Sequence, residues 1–253
     1  MKKPSVGVFK FTSDGGCQLQ ILNMERELFD LLNLINITYF PMAGVDSGEG
    51  PFDIGFVEGA VTSTDEIIRI KEIREKCRIL VALGACACYG GIASIKNQKT
   101  QRELEEKVYT DLTAVHSTKA FGIDQYVKVD AYVRGCPIDK NEFIEVVKST
   151  LLQIKPNLRP HSVCVECKLR ENPCIFLIEG EVCMGPVTSA GCGALCPSRH
   201  RACEGCRGPA SDPNTPSLAR TMLEYGLTPE EVRLKFIKYA GETQAFKEGA
   251  GIK

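Results

Sequence analysis

The chain has no excess of either charge: 31 Lys and Arg stand against 32 Asp and Glu, for a formal net charge of −1. That balance implies no general attraction to nucleic acid or to an anionic membrane surface. It also lacks any apolar run approaching the roughly 20 residues needed to cross a bilayer. The opening MKKPSVGVFKFT has neither an apolar leader core nor a twin-arginine pair and enters a strand-like stretch at once, which predicts a cytoplasmic protein. Histidine is scarce: His116, His161 and His200 are the only three, and none has ligand-like neighbours in sequence. The turn Gly84-Ala-Cys-Ala-Cys-Tyr-Gly-Gly91 lacks the Lys-Ser/Thr of a phosphate loop and the spacing of a dinucleotide fingerprint, so nothing suggests nucleotide binding. There is no internal repeat and no low-complexity tract.

Cysteine, by contrast, is abundant. The chain has 13 in 253 residues, and a reducing compartment argues against disulfides and for metal ligation where thiols cluster. Eight lie between positions 164 and 206: Cys164, Cys167, Cys174, Cys183, Cys192, Cys196, Cys203 and Cys206. Cys164/Cys167 and Cys203/Cys206 are C-x2-C pairs, and Cys192-Gly-Ala-Leu-Cys196-Pro197 runs between them. Eight thiols suffice for two four-thiolate sites. The segment carries few apolar residues and many turn signals, so metal is expected to serve as its core. C-x2-C pairs suit zinc; the C-x3-C-Pro run echoes a ferredoxin ending and favours iron–sulfur. Spacing alone does not say which thiols share a site.

The first 155 residues read differently. Strands are predicted at 5–12, 37–40, 53–57, 78–83 and 126–134, with helices at 17–35, 64–76 and about 139–153. Residues 92–125 read as a loop with one helical piece near 101–108. Strands alternating with helices imply a flavodoxin-like α/β domain built on a parallel sheet, in which ligands collect at the carboxyl ends of strands. Three such ends carry a cysteine: Cys17, Cys86 and Cys136. Far apart in sequence, they are expected side by side at one sheet edge, with Glu58-Gly59 at the same edge. Glu58 would orient the cluster loops, face a partner or cap a helix. Cys88 and Cys77 read as packed, structural thiols. Arg134, Arg199, Arg201 and Arg207 place positive charge near the cysteines, to stabilise an anionic centre or simply as solvated surface. PNLRP at 156–160 reads as a linker into an irregular domain, 156–212. Helices at about 216–225 and 229–239 and a Gly-rich, mobile 240–253 form a helical tail, 213–253.

These motifs in this order resemble the small subunit of nickel–iron hydrogenases, over about residues 5–210. They are Cys17 after a first strand, Gly-x-Cys86-Ala with Gly-Gly behind it, Gly135-Cys136-Pro137, and the run from Cys164-x2-Cys167 to Cys203-x2-Cys206. Gly16-Cys-Gln-Leu-Gln20 and the absent leader look most like the cytoplasmic group-3 enzymes, among them the delta subunits of sulfhydrogenases. The resemblance implies three [4Fe-4S] clusters: proximal on Cys17, Cys86 and Cys136, medial on Cys192, Cys196, Cys203 and Cys206, and distal on Cys164, Cys167, Cys174 and Cys183. It implies electron relay between a large partner subunit with the nickel–iron site and a flavin/iron–sulfur, diaphorase-type subunit, with NADP or sulfur as the final acceptor. The family has C-x2-C at the first turn, whereas this chain reads Asp14-Gly-Gly-Cys17. Asp14 is therefore expected as the fourth proximal ligand, a harder donor than thiolate; the alternative is a turn-forming Asp with the fourth iron open. Two other classes stay open: a zinc-stabilised scaffold with no redox role, and an electron-transfer subunit of a complex I-like oxidoreductase. The latter usually has adjacent cysteines at the first site and lacks the downstream array.

Overall fold

A computed structural model describes residues 3–113 and 115–252. Met1, Lys2, Ala114 and Lys253, which fall within the leader, loop and tail readings above, lie outside the described residues. The chain divides into two compact units, the first ending at Val146 and the second running from Val147.

The first unit contains strands β1 (Ser5–Lys10), β2 (Asn36–Phe40), β3 (Val45–Asp46), β4 (Phe52–Glu58), β5 (Val61–Ser63), β6 (Cys77–Leu83), β7 (Ser117–Phe121) and β8 (Ala131–Val133). Its helices are α1 (Gly16–Leu22), α2 (Arg26–Leu34), α3 (Thr64–Lys76), α4 (Gly84–Tyr89) and α5 (Gln101–Val108), and α6 (Lys140–Leu151) crosses into the second unit. Six strands form one sheet in the order β3-β2-β1-β4-β6-β8. All pairings in it are parallel except the β2–β3 edge. Setting β3 aside, the parallel strands run second, first, third, fourth, fifth, which is the flavodoxin order. In that order the ligand crevice opens where the winding reverses, here between β1 and β4.

The strands form here because β1, β4 and β6 are almost continuously apolar and buried, as a sheet covered on both faces requires. Val57 of β4 packs with Ile70 and Ile73 of α3, while the neighbouring Phe56 meets Phe143 of α6, ring centroids 5.1 Å apart. Each such side chain contributes about 1.5–3 kcal/mol on burial. Helix α3 starts where Ser63 Oγ accepts the Glu66 N–H at 3.2 Å. Asp65 and Glu66 in its first turn and Arg74 and Lys76 in its last complement the helix dipole. Cys77 packs its thiol against Gly55, where a Cβ would stand 2.4 Å from the sulfur. Cys88 is likewise a packed thiol, directed to the carbonyls of Ala82 and Val133 at 3.9 and 3.8 Å.

Several local expectations give way. The 17–35 helix is two helices, broken where buried Met24 turns inward and Glu25 takes a φ of 49°. The 126–134 strand shrinks to Ala131–Val133, because the Asp130 carboxylate takes the Leu80 N–H at 2.8 Å that a strand carbonyl would otherwise accept. The 92–125 loop contains a strand, β7, paired antiparallel with β5. Its sequence STKAF buries only Ala120 fully and so shows no apolar alternation.

The second unit holds α7 (Val163–Leu169), α8 (Ile175–Ile178), α9 (Thr215–Glu224), α10 (Pro229–Ala240) and α11 (Gln244–Gly249). Residues 240–252 are not a loose tail. Phe246 of α11 is buried edge-on against Phe236 of α10, centroids 5.6 Å apart, and the buried Thr215 hydroxyl donates to the Ala245 carbonyl at 2.7 Å. Nor does the cysteine-rich stretch lack a protein core: Val163, Ile175, Met184, Val187 and Ala194 are all buried. Phe246 also reaches the turn between Cys203 and Cys206, its Cε2 standing 3.6 Å from where a Cβ on Gly205 would lie.

Candidate metal centres

Four neighbouring strands of the sheet, β1, β4, β6 and β8, deliver Cys17, Glu58, Cys86 and Cys136 from their carboxyl ends. Cys17 opens α1 and is 7% exposed. Its N–H donates to Oε1 of Glu58 at 2.9 Å, so the carboxylate at the end of β4 pins the turn after β1. The loops after β6 and β8 are tied by the Ala85 N–H donating to the Gly135 carbonyl at 2.7 Å. Gly84, at φ 78°, lies against the Cys17 sulfur, and a Cβ there would stand 2.4 Å from it; one on Gly91 would stand 2.5 Å from Cys86 Sγ. Only glycine leaves these sulfurs room.

The electrostatics identify the same group. Burial pushes the Cys17 thiol far up, and charge on Glu58 adds to it. Burial pushes Cys86 up to about 11, with Cys136, Asp14 and Glu58 adding to the push, and burial, Asp14 and Glu58 raise Cys136. Asp14 thus lies within electrostatic reach of two of the thiols. Its Oδ1 accepts the Gly16 N–H at 2.9 Å, so it builds the turn with one oxygen while the carboxylate borders the site. Glu58 Oε2 and Gln18 Nε2 are buried at this edge without a hydrogen-bond partner among the described residues.

The second unit brings together Cys164, Cys167, Cys174 and Cys183. Burial, then the charges of Cys183, Cys167 and Cys174, push Cys164 up to about 11. Cys183 is raised by burial and by Cys174 and Cys167, while N–H groups of Cys203 and Gly185 at 3.2 and 3.4 Å act the other way. Cys196 is raised by burial, then by Cys192, Glu204 and Cys183. Cys203 is raised by burial, opposed by the Gly205 N–H, with Cys183 and Cys206 as its thiol neighbours. Cys183 therefore borders both groups.

The residues fit iron–sulfur clusters on the chemistry of the donor set. All the candidate donors but Asp14 are soft thiols. Desolvation and mutual repulsion would keep the buried ones protonated unless a cationic core took the protons' place. Backbone N–H groups of Ile138, Ile92, Gly185, Cys203 and Gly205 meet the sulfurs, as thiolates bound to a cluster require.

Two residues escaped the sequence reading, although an acid inside each C-x2-C was visible. Glu166, between Cys164 and Cys167, is 2% exposed and accepts three hydrogen bonds. Glu204, between Cys203 and Cys206, is paired with Lys235 and Lys238 of α10 at 3.2 and 2.7 Å. Of the arginines, Arg207 is buried and donates from Nε to the Ser189 and Ala190 carbonyls at 3.1 and 2.9 Å, while Arg199 and Arg201 are exposed.

A flavodoxin-ordered sheet with thiols gathered at its strand ends is the arrangement of an α/β protein with a candidate metal centre at the carboxyl edge of its sheet. The chain belongs to the family described as NADH ubiquinone oxidoreductase, 20 kDa subunit, which matches residues 15–150. It is similar to the sulfhydrogenase 2 subunit delta of Pyrococcus furiosus, 35% identical over 93% of this chain and 98% of that one. A subunit of the F420-non-reducing hydrogenase vhu of Methanocaldococcus jannaschii is 32% identical over 80% of this chain and 81% of its own. In fold, a chain of an NAD+-reducing [NiFe]-hydrogenase superposes with a TM-score of 0.55 at 24% identity, covering 62% of this chain and 95% of that one.

Proposed function

We propose that this protein is the electron-transfer small subunit of a soluble, cytoplasmic group-3 [NiFe] hydrogenase. It carries electrons between the nickel–iron site of a large partner subunit and a flavin/iron–sulfur, diaphorase-type subunit linked to NADP. The hydrogenase-subunit relatives spanning most of the chain support the class. The observation that carries the reading is the convergence of Cys17, Cys86, Cys136 and Asp14 at the one sheet edge where the winding reverses. No helix among the described residues is long and apolar enough to cross a membrane.

In this reading three [4Fe-4S] clusters, when bound, supply one-electron steps between the two partners. The chain's own residues do the rest. Cys17, Cys86, Cys136 and Asp14 hold the proximal cluster, and Glu58 fixes the backbone at Cys17. Cys192, Cys196, Cys203 and Cys206 hold the medial one, and Cys164, Cys167, Cys174 and Cys183 the distal one. The N–H groups aimed at Cys17, Cys86, Cys183 and Cys203 offset thiolate charge and raise the potentials.

The test is anaerobic purification of the tagged chain from its native host. A nickel-containing subunit and a flavin-binding subunit should accompany it. The chain itself should carry about twelve irons, four per cubane, with three redox-titratable EPR signals. Zinc in place of iron, or purification without a nickel protein, would overturn the reading.

A further inference from the structure

The side chain of Glu166 belongs to one thiol group by sequence and to the other by contact. It sits on α7 inside the Cys164-x2-Cys167 turn. Its Oε1 accepts the Gly191 N–H at 3.1 Å and its Oε2 the Ala194 N–H at 3.3 Å, so the carboxylate spans the backbone on either side of Cys192. Gly191 and Ala194 both take positive φ, 124° and 52°. For Ala194 that conformation is unfavourable unless the surroundings impose it, and the bond to Glu166 is one such constraint. The carboxylate is 2% exposed, and its counter-ion is Arg159, whose Nη1 lies 2.6 Å from Oε1 while its side chain is 59% exposed.

A carboxylate this buried costs solvation free energy that a neutral side chain of the same shape would not. Peptide N–H groups can be satisfied by an amide oxygen. A staple for the Cys192 loop therefore needs an acceptor but not a charge. The charge lies in a low-dielectric region beside both the Cys164/Cys167 turn and the Cys192 loop, where its field is weakly screened.

Resting on the cluster assignment proposed above, we infer that Glu166 is a positioning residue shared by the medial and distal clusters. Its negative charge lowers both potentials together. Arg159, at the exposed end, partly offsets that charge.

The experiment uses the intact hydrogenase complex, with potentiometric EPR titration of each cluster. Signals are assigned by Cys174→Ser (distal) and Cys196→Ser (medial). In Glu166→Gln, with iron content unchanged, the medial and distal potentials should both rise while the proximal one stays. In Arg159→Gln both should fall. A shift of one cluster only, shifts of the same sign in the two variants, or no shift in either would overturn the inference. Should Glu166→Gln lose iron, Arg159→Gln decides alone: a joint fall supports the shared role, and its absence refutes it. Failure of the underlying reading looks different, because the wild-type chain would then carry no iron to titrate.

Discussion

The backbone N–H of Cys203 donates to Sγ of Cys183 at 3.2 Å, and the Met184 N–H returns a bond to the Cys203 carbonyl at 2.9 Å. The two thiols lie in different proposed cluster sets, so one hydrogen bond joins the sulfur of one set to the backbone of the other. Replacing that sulfur should therefore disturb both. Cys183→Ser is expected to change the distal EPR signal and also to shift the medial potential. Cys174→Ser, at a thiol with no bond of this kind to the medial loop among the described residues, should alter the distal signal alone. Equal and purely distal effects in the two variants would show that the Cys203 contact carries no electrostatic weight.

Gly84 offers a steric test of the sheet-edge site. Its φ of 78° disfavours any side chain, and a Cβ would stand 2.4 Å from the Cys17 sulfur. Gly84→Ala must move either the β6 turn or the thiol. The expected outcome is loss of about one cubane's iron, roughly four atoms per chain, with the proximal EPR signal missing and the other two intact. Retention of all three signals would mean that Cys17 does not ligate.

How much of this was legible in the sequence depends on the range of the signal. Cys17, Cys86 and Cys136 could be placed at one edge because strand ends in a parallel sheet are adjacent by topology, and β1 and β6 announced themselves as apolar runs and β8 as a strand-like stretch. Glu58 followed from the same geometry. What stayed hidden was set by individual contacts. Asp130 truncates β8 by replacing a ladder bond, β7 buries one alanine and so has no period, and Phe246 is a single aromatic in a Gly-rich stretch whose partner, Phe236, lies ten residues upstream. Glu166 was visible as a residue but not as a bridge, because its partners Gly191 and Ala194 are backbone groups and leave no mark in a side-chain pattern.

Phe246 also carries a stability prediction. It is 1% exposed, packs on Phe236 and reaches the Cys203–Cys206 turn. Phe246→Ala should cost about 3–5 kcal/mol, the usual range for a fully buried ring. It should lower the midpoint of thermal unfolding of the second unit followed by circular dichroism. An exposed surface ring such as Phe29, 70% exposed, should cost little when changed in the same way. A near-neutral Phe246→Ala would return the last residues to the status of a loose tail.

The start of α10 gives a pH dependence whose sign is fixed. Thr228 and Glu231 form a reciprocal cap: Glu231 Oε2 accepts from the Thr228 N–H and hydroxyl, both at 2.8 Å. These bonds, the backbone one first, hold the Glu231 carboxyl below its ordinary value. A depressed carboxyl contributes stability that is complete above its unfolded value and is lost as pH falls through the folded one. Wild type should therefore exceed Glu231→Gln in stability at neutral pH, and the gap should close on acidification. A gap that widens towards low pH would contradict the cap. Thr228→Ala, which removes the N-cap itself, should cost about 1 kcal/mol.

Asp14 is the proposed fourth ligand of the proposed proximal cluster. Its Oδ1 is engaged by the Gly16 N–H at 2.9 Å, yet its charge reaches both Cys86 and Cys136. A turn-former and a ligand are compatible roles, because a carboxylate has a second oxygen. The two roles respond differently when oxygen is replaced with sulfur. If Asp14 ligates, Asp14→Cys exchanges a hard donor for a soft one. The proximal cluster's potential and EPR line shape should then change while the medial and distal signals do not. Asp14→Asn keeps the turn, because the amide oxygen still accepts the Gly16 N–H, but it removes the anionic donor. Its proximal cluster should be labile, losing one iron on mild oxidation to give a three-iron signal. A proximal signal identical in wild type, Asp14→Cys and Asp14→Asn would confine Asp14 to the turn and leave the fourth iron to a donor from outside the Cys17 loop.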